Sequence, residues 1–231
     1  GSVVHSSSQL ILTAQSYAKI SSFVGGVAAS GVVAGQVSLT INDIKNTVDA
    51  SIVNSAAASG VDIHADGNIY LTAKDQSKID SVAIGLSAAG GGAVGASISK
   101  NLIDNDVTTA ITSSEVTSGA DVDLDSINSS VIRSLAAGLA GAGGFAAQAS
   151  VTLNDITNTI SSQITGSTVT ATGKVDVSAV DSASNASNYM SDMLIPTSVV
   201  DTLTNSLSDT STQSTANILS FAGSIGGAGL A

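Results

Sequence analysis

The chain lacks cysteine and tryptophan, has one proline, and contains few aromatic or charged residues. Charged residues make up 11% of the sequence, compared with about 25% in an average soluble domain. Such a composition often indicates disorder, but 43% of the residues are hydrophobic, so the chain can fold. We expect a core of small side chains arranged in many thin layers, as stacked repeats provide. The absence of cysteine means that no disulfide bonds stabilise the fold.

Basic residues are scarce as well. Lys and Arg number 7 and Asp and Glu number 18, which gives a net charge of -11. An acidic chain with scattered basic residues has no electrostatic footprint for nucleic acid, so we expect no such partner.

Two uncharged stretches, residues 82–99 and 135–153, are as long as a membrane span. They are broken by glycines and polar residues and are too weakly hydrophobic for a transmembrane helix, so we predict no membrane span.

What the chain does contain is an internal repeat. The segment TINDIKNTV at residues 40–48 recurs as SKNLIDNDV at residues 99–107 and as TLNDITNTI at residues 152–160. The central asparagines of these copies lie 59 and 53 residues apart, and a second landmark around Leu12 recurs at the same intervals. The unit is therefore about 53 residues, and the first copy carries a six-residue insertion between residues 54 and 70. We expect residues 1–231 to be a single fragment of a longer protein, with units at about 12–70, 71–123, 124–176 and 177–231.

The last unit is interrupted. The pattern breaks after Asp181 and resumes at Asn217, about 33 residues later than the repeat requires. The intervening insert, at about residues 185–216, holds Pro196 and a run of apolar residues at helical spacing. We predict a small insert with one short helix, and we regard it as a candidate binding element because insertions on a regular scaffold commonly carry function.

Apolar and polar residues alternate within each unit. Ile69, Leu71 and Ala73, for example, alternate with Tyr70 and Thr72, which is typical of strands with one buried face. Clusters of Gly, Asn and Asp separate these runs and favour turns. We therefore predict an all-β fold, a right-handed parallel β-helix (β-solenoid). Each 53-residue unit would form two coils of about 26 residues or three of about 18, and the pattern does not distinguish them.

Repeated asparagines and glycines have structural interpretations in such a fold. Equivalent positions of a solenoid stack, so the asparagines are candidates for amide ladders, the alternative being ordinary turn residues. The candidates are Asn42, Asn101 and Asn154, and Asn46, Asn105 and Asn158. The glycine runs at residues 90–92 and 141–144 are not followed by the Lys-Ser/Thr of a phosphate loop, and we predict tight corners there.

The succession of these elements resembles a known family. An Asn-Asp-Ile-x-Asn-Thr-Val/Ile motif precedes a strand, an x-Val-x-Val-x-Ala strand and a Gly/Ala-rich strand pair. This order is similar to the repeats of filamentous-haemagglutinin-like large exoproteins, including leukotoxin-like members. The resemblance covers most of the chain outside the insert. It implies two-partner secretion, a secreted or cell-surface location, and a shaft segment of an adhesin or exotoxin whose partner is a host-cell receptor, a matrix protein or a glycan.

Catalytic constellations are not apparent in the sequence. The two histidines, His5 and His64, are distant in sequence, and we expect no metal site and no cofactor. Asp121, Asp123 and Asp125 alternate along one predicted strand face and are weak candidates for Ca²⁺ binding or sugar chemistry. A solvated acidic face is the simpler interpretation. We therefore predict a protein without enzymatic activity, the alternative being a carbohydrate-active β-helix enzyme or a glycan-binding module.

Overall fold

The computed structural model describes residues 3–55, 63–182 and 217–229; the predicted insert at residues 185–216 lies outside them. Across these ranges the chain forms fifteen β-strands and no helix. The strands are β1 (Val4–Ser6), β2 (Leu10–Ser16), β3 (Lys19–Ser30), β4 (Val33–Val53), β5 (Ile63–Ala65), β6 (Ile69–Asp75), β7 (Lys78–Ala89), β8 (Gly92–Thr112), β9 (Glu115–Ser118), β10 (Val122–Asn128), β11 (Val131–Ala142), β12 (Phe145–Thr165), β13 (Thr168–Ala171), β14 (Val175–Asp181) and β15 (Ile218–Ala228).

The described strands form four parallel sheets in which each strand pairs with the strand four places along the chain. Sheet A contains β1, β5, β9 and β13; sheet B contains β2, β6, β10 and β14; sheet C contains β3, β7, β11 and β15; sheet D contains β4, β8 and β12. The chain therefore winds through one strand of each sheet in turn, and we number the coils 1 (β1–β4), 2 (β5–β8), 3 (β9–β12) and 4 (β13–β15). This architecture confirms the predicted parallel β-solenoid, whose right-handed sense remains a prediction.

One sequence repeat forms one coil. Asn42 pairs with Asn101 and Asn101 with Asn154, at the same intervals that define the repeat. The expectation of two or three shorter coils per unit is therefore wrong. The reason is strand length: each strand of sheet D has 21 residues, several times the common length of about 5–6 residues. The registers place the six extra residues of the first unit between Val53 and Ile63, in the connection from β4 to β5.

The part of each coil that we call the body has an apolar core. It comprises sheets A and B and residues 44–53, 103–112 and 156–165 of sheet D. Its largest cluster of buried side chains includes Ile69, Leu71 and Leu124, none of which has accessible surface. In the body the predicted alternation, with apolar residues inside and polar residues outside, is confirmed. A stack of isoleucines that includes Ile79 and Ile132 marks where the body ends.

The remainder of each coil, which we call the arm, has the opposite pattern. It comprises residues 22–42, 81–101, 134–154 and 220–229, where sheet C faces the first half of sheet D. On β4 the inward-facing residues are polar and buried: Gln36, Ser38, Thr40 and Asn42. The outward-facing residues of the same stretch are apolar and exposed: Val33, Val37, Leu39 and Ile41. The arm is therefore a two-sheet slab with a polar interior and apolar outer faces.

Glycines allow the two sheets and their corners to pack this closely. A Cβ on Gly26 or Gly85 of sheet C would collide with the buried side chain of Gln36 from sheet D. At the tip of the arm, where sheet C turns into sheet D, a Cβ on Gly91 would lie 2.7 Å from the carbonyl oxygen of Val32 in the coil below. The glycine runs thus lie at tight corners between strands, as their recurrence predicted.

Candidate functional site

The inward-facing asparagines of the arm form a hydrogen-bonded column. Asn42 Nδ2 donates to Asn101 Oδ1 at 2.7 Å, and Asn101 Nδ2 donates to Asn154 Oδ1 at 2.7 Å. All three lie within long strands rather than in turns. Asn42 and Asn154 also donate across the arm, to Ser22 Oγ at 2.9 Å and Ser134 Oγ at 2.8 Å. The column therefore connects successive coils and also joins the two sheets of the arm.

The second set of asparagines is bonded differently. Asn105 Nδ2 donates to Asp75 Oδ1 at 2.8 Å, and Asn46 Nδ2 donates to Asp75 Oδ2 at 2.9 Å. Asp75 is fully buried and also accepts a 2.6 Å hydrogen bond from Ser77 Oγ. Asn158, the third member, donates to Asp181. Because donors occupy the oxygens of Asp75, this cluster stabilises the corner between sheets B and C rather than offering ligands to a cation.

Two of the three candidate aspartates lie within a strand. Asp123 and Asp125 alternate on β10, but Asp121 precedes the strand, which begins at Val122. Asp121 Oδ1 instead accepts a 2.8 Å hydrogen bond from the backbone N–H of Lys174 in the next coil. Asp121 therefore lies at the border of the row, where its carboxylate satisfies a backbone donor of the next coil.

Asp125 belongs to a cluster of charges on the outer face of sheet B. Burial raises the pKa of Asp125, and the nearby carboxylates of Asp123 and Asp176 raise it further. Lys174 Nζ lies 3.2 Å from Asp176 and 3.6 Å from Asp123. A hydrogen bond to Asp176 and the charge of Asp123 raise the pKa of this ammonium group. Three carboxylates and one ammonium can hydrogen-bond sugar hydroxyls, but they lie along one sheet face rather than across a cleft as in a glycosidase.

The two histidines are neighbours in the fold. His5 and His64 pair in register in sheet A, with ring centroids 5.4 Å apart. His64 Nε2 is 3.0 Å from Asp66 Oδ1. The two histidines are distant in sequence but adjacent in the fold, since the interval between them equals one coil. In the described part of the chain, no group of three or more His, Cys, Asp or Glu side chains is arranged to hold a metal ion.

A buried ion pair on sheet C escaped the sequence analysis. Arg133 Nε donates to Asp80 Oδ1 at 2.5 Å, and Lys78 Nζ lies 3.5 Å from Asp80 Oδ2. Arg133 is 3% exposed and Asp80 is 6% exposed, although both alternate with the inward-facing residues of sheet C. The available signal was their 53-residue spacing, which places the only arginine of the chain directly above an aspartate.

The apolar outer surface of the arm was also missed. A shallow groove of about 440 Å³ crosses sheet C, and Val27, Leu86, Leu139 and Ile225 from four successive coils contribute to its lining. The signal in the sequence is the strict alternation of Val, Leu and Ile with Gln, Ser, Thr and Asn at residues 36–42. Alternation shows that the two sets point in opposite directions, but burial alone decides which set faces inward.

Two further findings bear on function. None of the described residues form a helix long and apolar enough to cross a membrane. Comparisons with known proteins give no matching family model, no matching curated protein and no matching solved structure. Functional inference for this chain therefore rests on its fold and its surfaces.

Proposed function

We propose that this chain is a segment of the shaft of a large secreted or surface-anchored bacterial adhesin or exotoxin. The observation that carries this proposal is the register between coils: each strand pairs in parallel with its equivalent one repeat away. A fold that grows by adding identical coils extends along one axis only, which suits a spacer between a cell and a distal binding part. The resemblance to filamentous-haemagglutinin-like exoproteins supports the same role.

The apolar column of sheet B is open on one side at coil 4. Leu71 and Leu124 are fully buried in coils 2 and 3, whereas Val177, at the equivalent position in coil 4, is exposed. A further coil stacked on coil 4 would bury it. Side-chain columns such as the asparagines of the arm would extend in the same way and stiffen the assembly.

A binding assay tests the shaft proposal. The purified chain, with and without residues 185–216, is applied to immobilised matrix proteins and glycans. A spacer is expected to bind none of them in either form. Saturable binding that disappears with the insert would overturn the proposal and assign receptor recognition to the insert. Matched thermal unfolding of the two forms shows whether removing the insert preserves the solenoid.

The charge cluster on sheet B favours a second candidate, a glycan-binding module or a carbohydrate-active enzyme. Such a function requires the carboxylates of Asp123 and Asp125 to contact sugar hydroxyls. The double variant Asp123→Asn, Asp125→Asn should then abolish glycan binding or hydrolysis. Asp104→Asn is the matched control, because it makes the same substitution at an exposed ion pair on sheet D. Absence of glycan binding in the unmodified chain would eliminate this candidate.

A further inference from the structure

The end of the arm farthest from the body is apolar on both faces. We call this region the distal arm and define it as residues 27–37, 86–96, 139–149 and 225–229. Its outward-facing large side chains are exposed on sheet C at Val27, Leu86, Leu139 and Ile225, and on sheet D at Val33, Val37, Val94 and Phe145. The four ranges contain no charged residue.

This exposure is not an effect of the solenoid ends. Leu86, Val94 and Leu139 each have a paired strand on both sides, yet they remain 38%, 45% and 46% exposed. Large apolar side chains that stay in contact with water inside a regular sheet mark a surface that another apolar phase can cover.

The polar side chains of the distal arm at Gln36, Ser87 and Gln148 are directed into its interior, away from the outer faces. Gln36 Nε2 donates to Ser38 Oγ and Gln148 Nε2 donates to Ser97 Oγ at 3.5 Å, both at the border nearest the body. Among the described residues, Gln36 Oε1, Ser87 Oγ and Gln148 Oε1 are buried without a hydrogen-bond partner.

At the tip, the backbone N–H of Gly144 donates to the carbonyl oxygen of Gly91 at 3.0 Å, in the coil below. A surface that enters hydrocarbon must satisfy its backbone groups internally. In the distal arm β7, β8 and β11 do so, because each pairs with a strand on both sides.

The dimensions of the distal arm suit one leaflet of a bilayer. On sheet C its outward apolar positions begin about five residues from the tip, which corresponds to a depth of about 15 Å at the rise of a β-strand. The hydrocarbon core of a bilayer is about 30 Å thick, so each leaflet supplies about half of that. The first charged residues on the outer faces, such as Lys100 and Asp80, are nearer to the body than the distal arm.

A second copy of the chain is a poorer occupant. One outer face of the arm spans three strands on sheet D or four on sheet C, each over about nine residues, or about 400–600 Å² at the usual spacings. A stable dimer commonly buries about 800 Å² on each partner. A second copy would also leave the opposite face in water, whereas lipid surrounds both faces and the tip.

We propose that the distal arm inserts tip-first into one leaflet of a zwitterionic lipid bilayer. The chain has a net charge of -11, so anionic lipid would repel it and insertion depends on burial of apolar surface. The proposal is independent of the proposed shaft function. The chain can be a shaft segment whose arms do not bind lipid, and its arms can bind lipid if the chain is not a shaft segment.

Vesicle flotation of the full chain with phosphatidylcholine vesicles tests the proposal. The unmodified chain is expected to float with the vesicles. The double variant Val94→Glu, Leu139→Glu should reduce the floated fraction at least about tenfold, because a charged side chain is costly in hydrocarbon. Ile11→Glu is the matched control: Ile11 is 55% exposed on the outer face of sheet B, and its replacement should not change flotation. Thermal unfolding should show that all three proteins are folded.

A site-specific probe measures depth in the same experiment. Since the chain has no cysteine, Val94→Cys and Ile11→Cys each provide a single position for an environment-sensitive fluorophore. The label at position 94 should shift to the blue with vesicles and respond to quenchers within the acyl chains, and the label at position 11 should not. Failure of the unmodified chain to float at any lipid concentration would overturn the proposal. Equal flotation of the unmodified chain and the double glutamate variant would also overturn it. A dimer that forms without lipid and that the double glutamate variant dissociates would overturn it as well.

Discussion

Asn101 joins three coils with one side chain. It accepts a hydrogen bond from Asn42, donates to Asn154 and to Ser99, and is 1% exposed. A buried amide of this kind is favourable only while every partner is in place, because an unpaired polar group away from water costs free energy. Asp75 illustrates the same dependence in the corner network of the body, where its carboxylate accepts hydrogen bonds from three side chains.

Replacement of Asn101 tests the contribution of the column. Asn101→Ala leaves an N–H of Asn42 and the Oδ1 of Asn154 without their partners, and we expect a loss of about 2–4 kcal/mol in the free energy of unfolding. Lys100→Ala, at the adjacent exposed position, should change it by less than about 0.5 kcal/mol. Urea unfolding of both variants provides the comparison. If Asn101→Ala and Lys100→Ala have equal free energies of unfolding, the hydrogen bonds of the amide column make no net contribution to stability.

Asp125 gives the stability of the chain a defined pH dependence. Its pKa is raised in the folded state by burial and by Asp123 and Asp176, so the folded chain holds this proton more tightly than the unfolded chain. Stability from this residue is present below the ordinary aspartate pKa of about 3.9 and is lost as the pH rises through the higher folded value.

The Asp125→Asn variant should therefore have a higher Tm than the unmodified chain at pH 7, and the difference should shrink at pH 3. Thermal unfolding at the two pH values is sufficient to measure it. A difference in Tm that is the same at both values would contradict the assigned cause, since a pH-independent effect cannot come from the titration of this carboxyl group.

At the scale of strands and sheets, the arm shows how far the sequence was informative. The periodicity identified strands, the glycine runs identified corners, and the recurrence of Asn42, Asn101 and Asn154 identified stacked positions. The polar interior and apolar outer faces of the arm were not predicted. Alternation of Val and Leu with Ser and Gln separates two faces of a strand but does not indicate which face is buried. The coil size was missed because Asn and Asp residues such as Asn42 and Asp43, which also favour turns, lie inside the 21-residue strands of sheet D, and strands of the common short length were expected instead.

The tip of the arm provides an element-scale test. A Cβ on Gly144 would lie 2.7 Å from the carbonyl oxygen of Gly91 in the neighbouring coil. Gly144→Ala should therefore separate the stacked corners and cost about 1–3 kcal/mol. Gly141→Ala is the matched control, since nothing lies within 4 Å of a Cβ there, and it should be neutral or slightly stabilising.

Thermal unfolding and hydrogen exchange of the tip amides distinguish the two alanine variants. Exchange should become faster in Gly144→Ala and stay unchanged in Gly141→Ala. Equal exchange in both would mean that the corners of neighbouring coils are not in contact in solution.

For the whole molecule, the equivalence of one repeat and one coil predicts the effect of adding residues. A second copy of residues 71–123 inserted after Asp123 should add one complete coil, lengthen the particle by about 4.8 Å and raise its stability. A second copy of residues 71–96, which is about half a unit, should lower the Tm because it places every later strand out of register. Small-angle scattering and urea unfolding measure length and stability, and a stable half-unit insertion would contradict the coil assignment.

The coincidence of repeat and coil also has an evolutionary consequence. Neighbouring units are similar in sequence, so recombination between them gains or loses whole units in frame. Each event adds or removes a complete coil and leaves the pairing of all other strands intact. Alleles with different numbers of units can therefore encode solenoids of different axial length that retain the same cross-section, surface chemistry and fold.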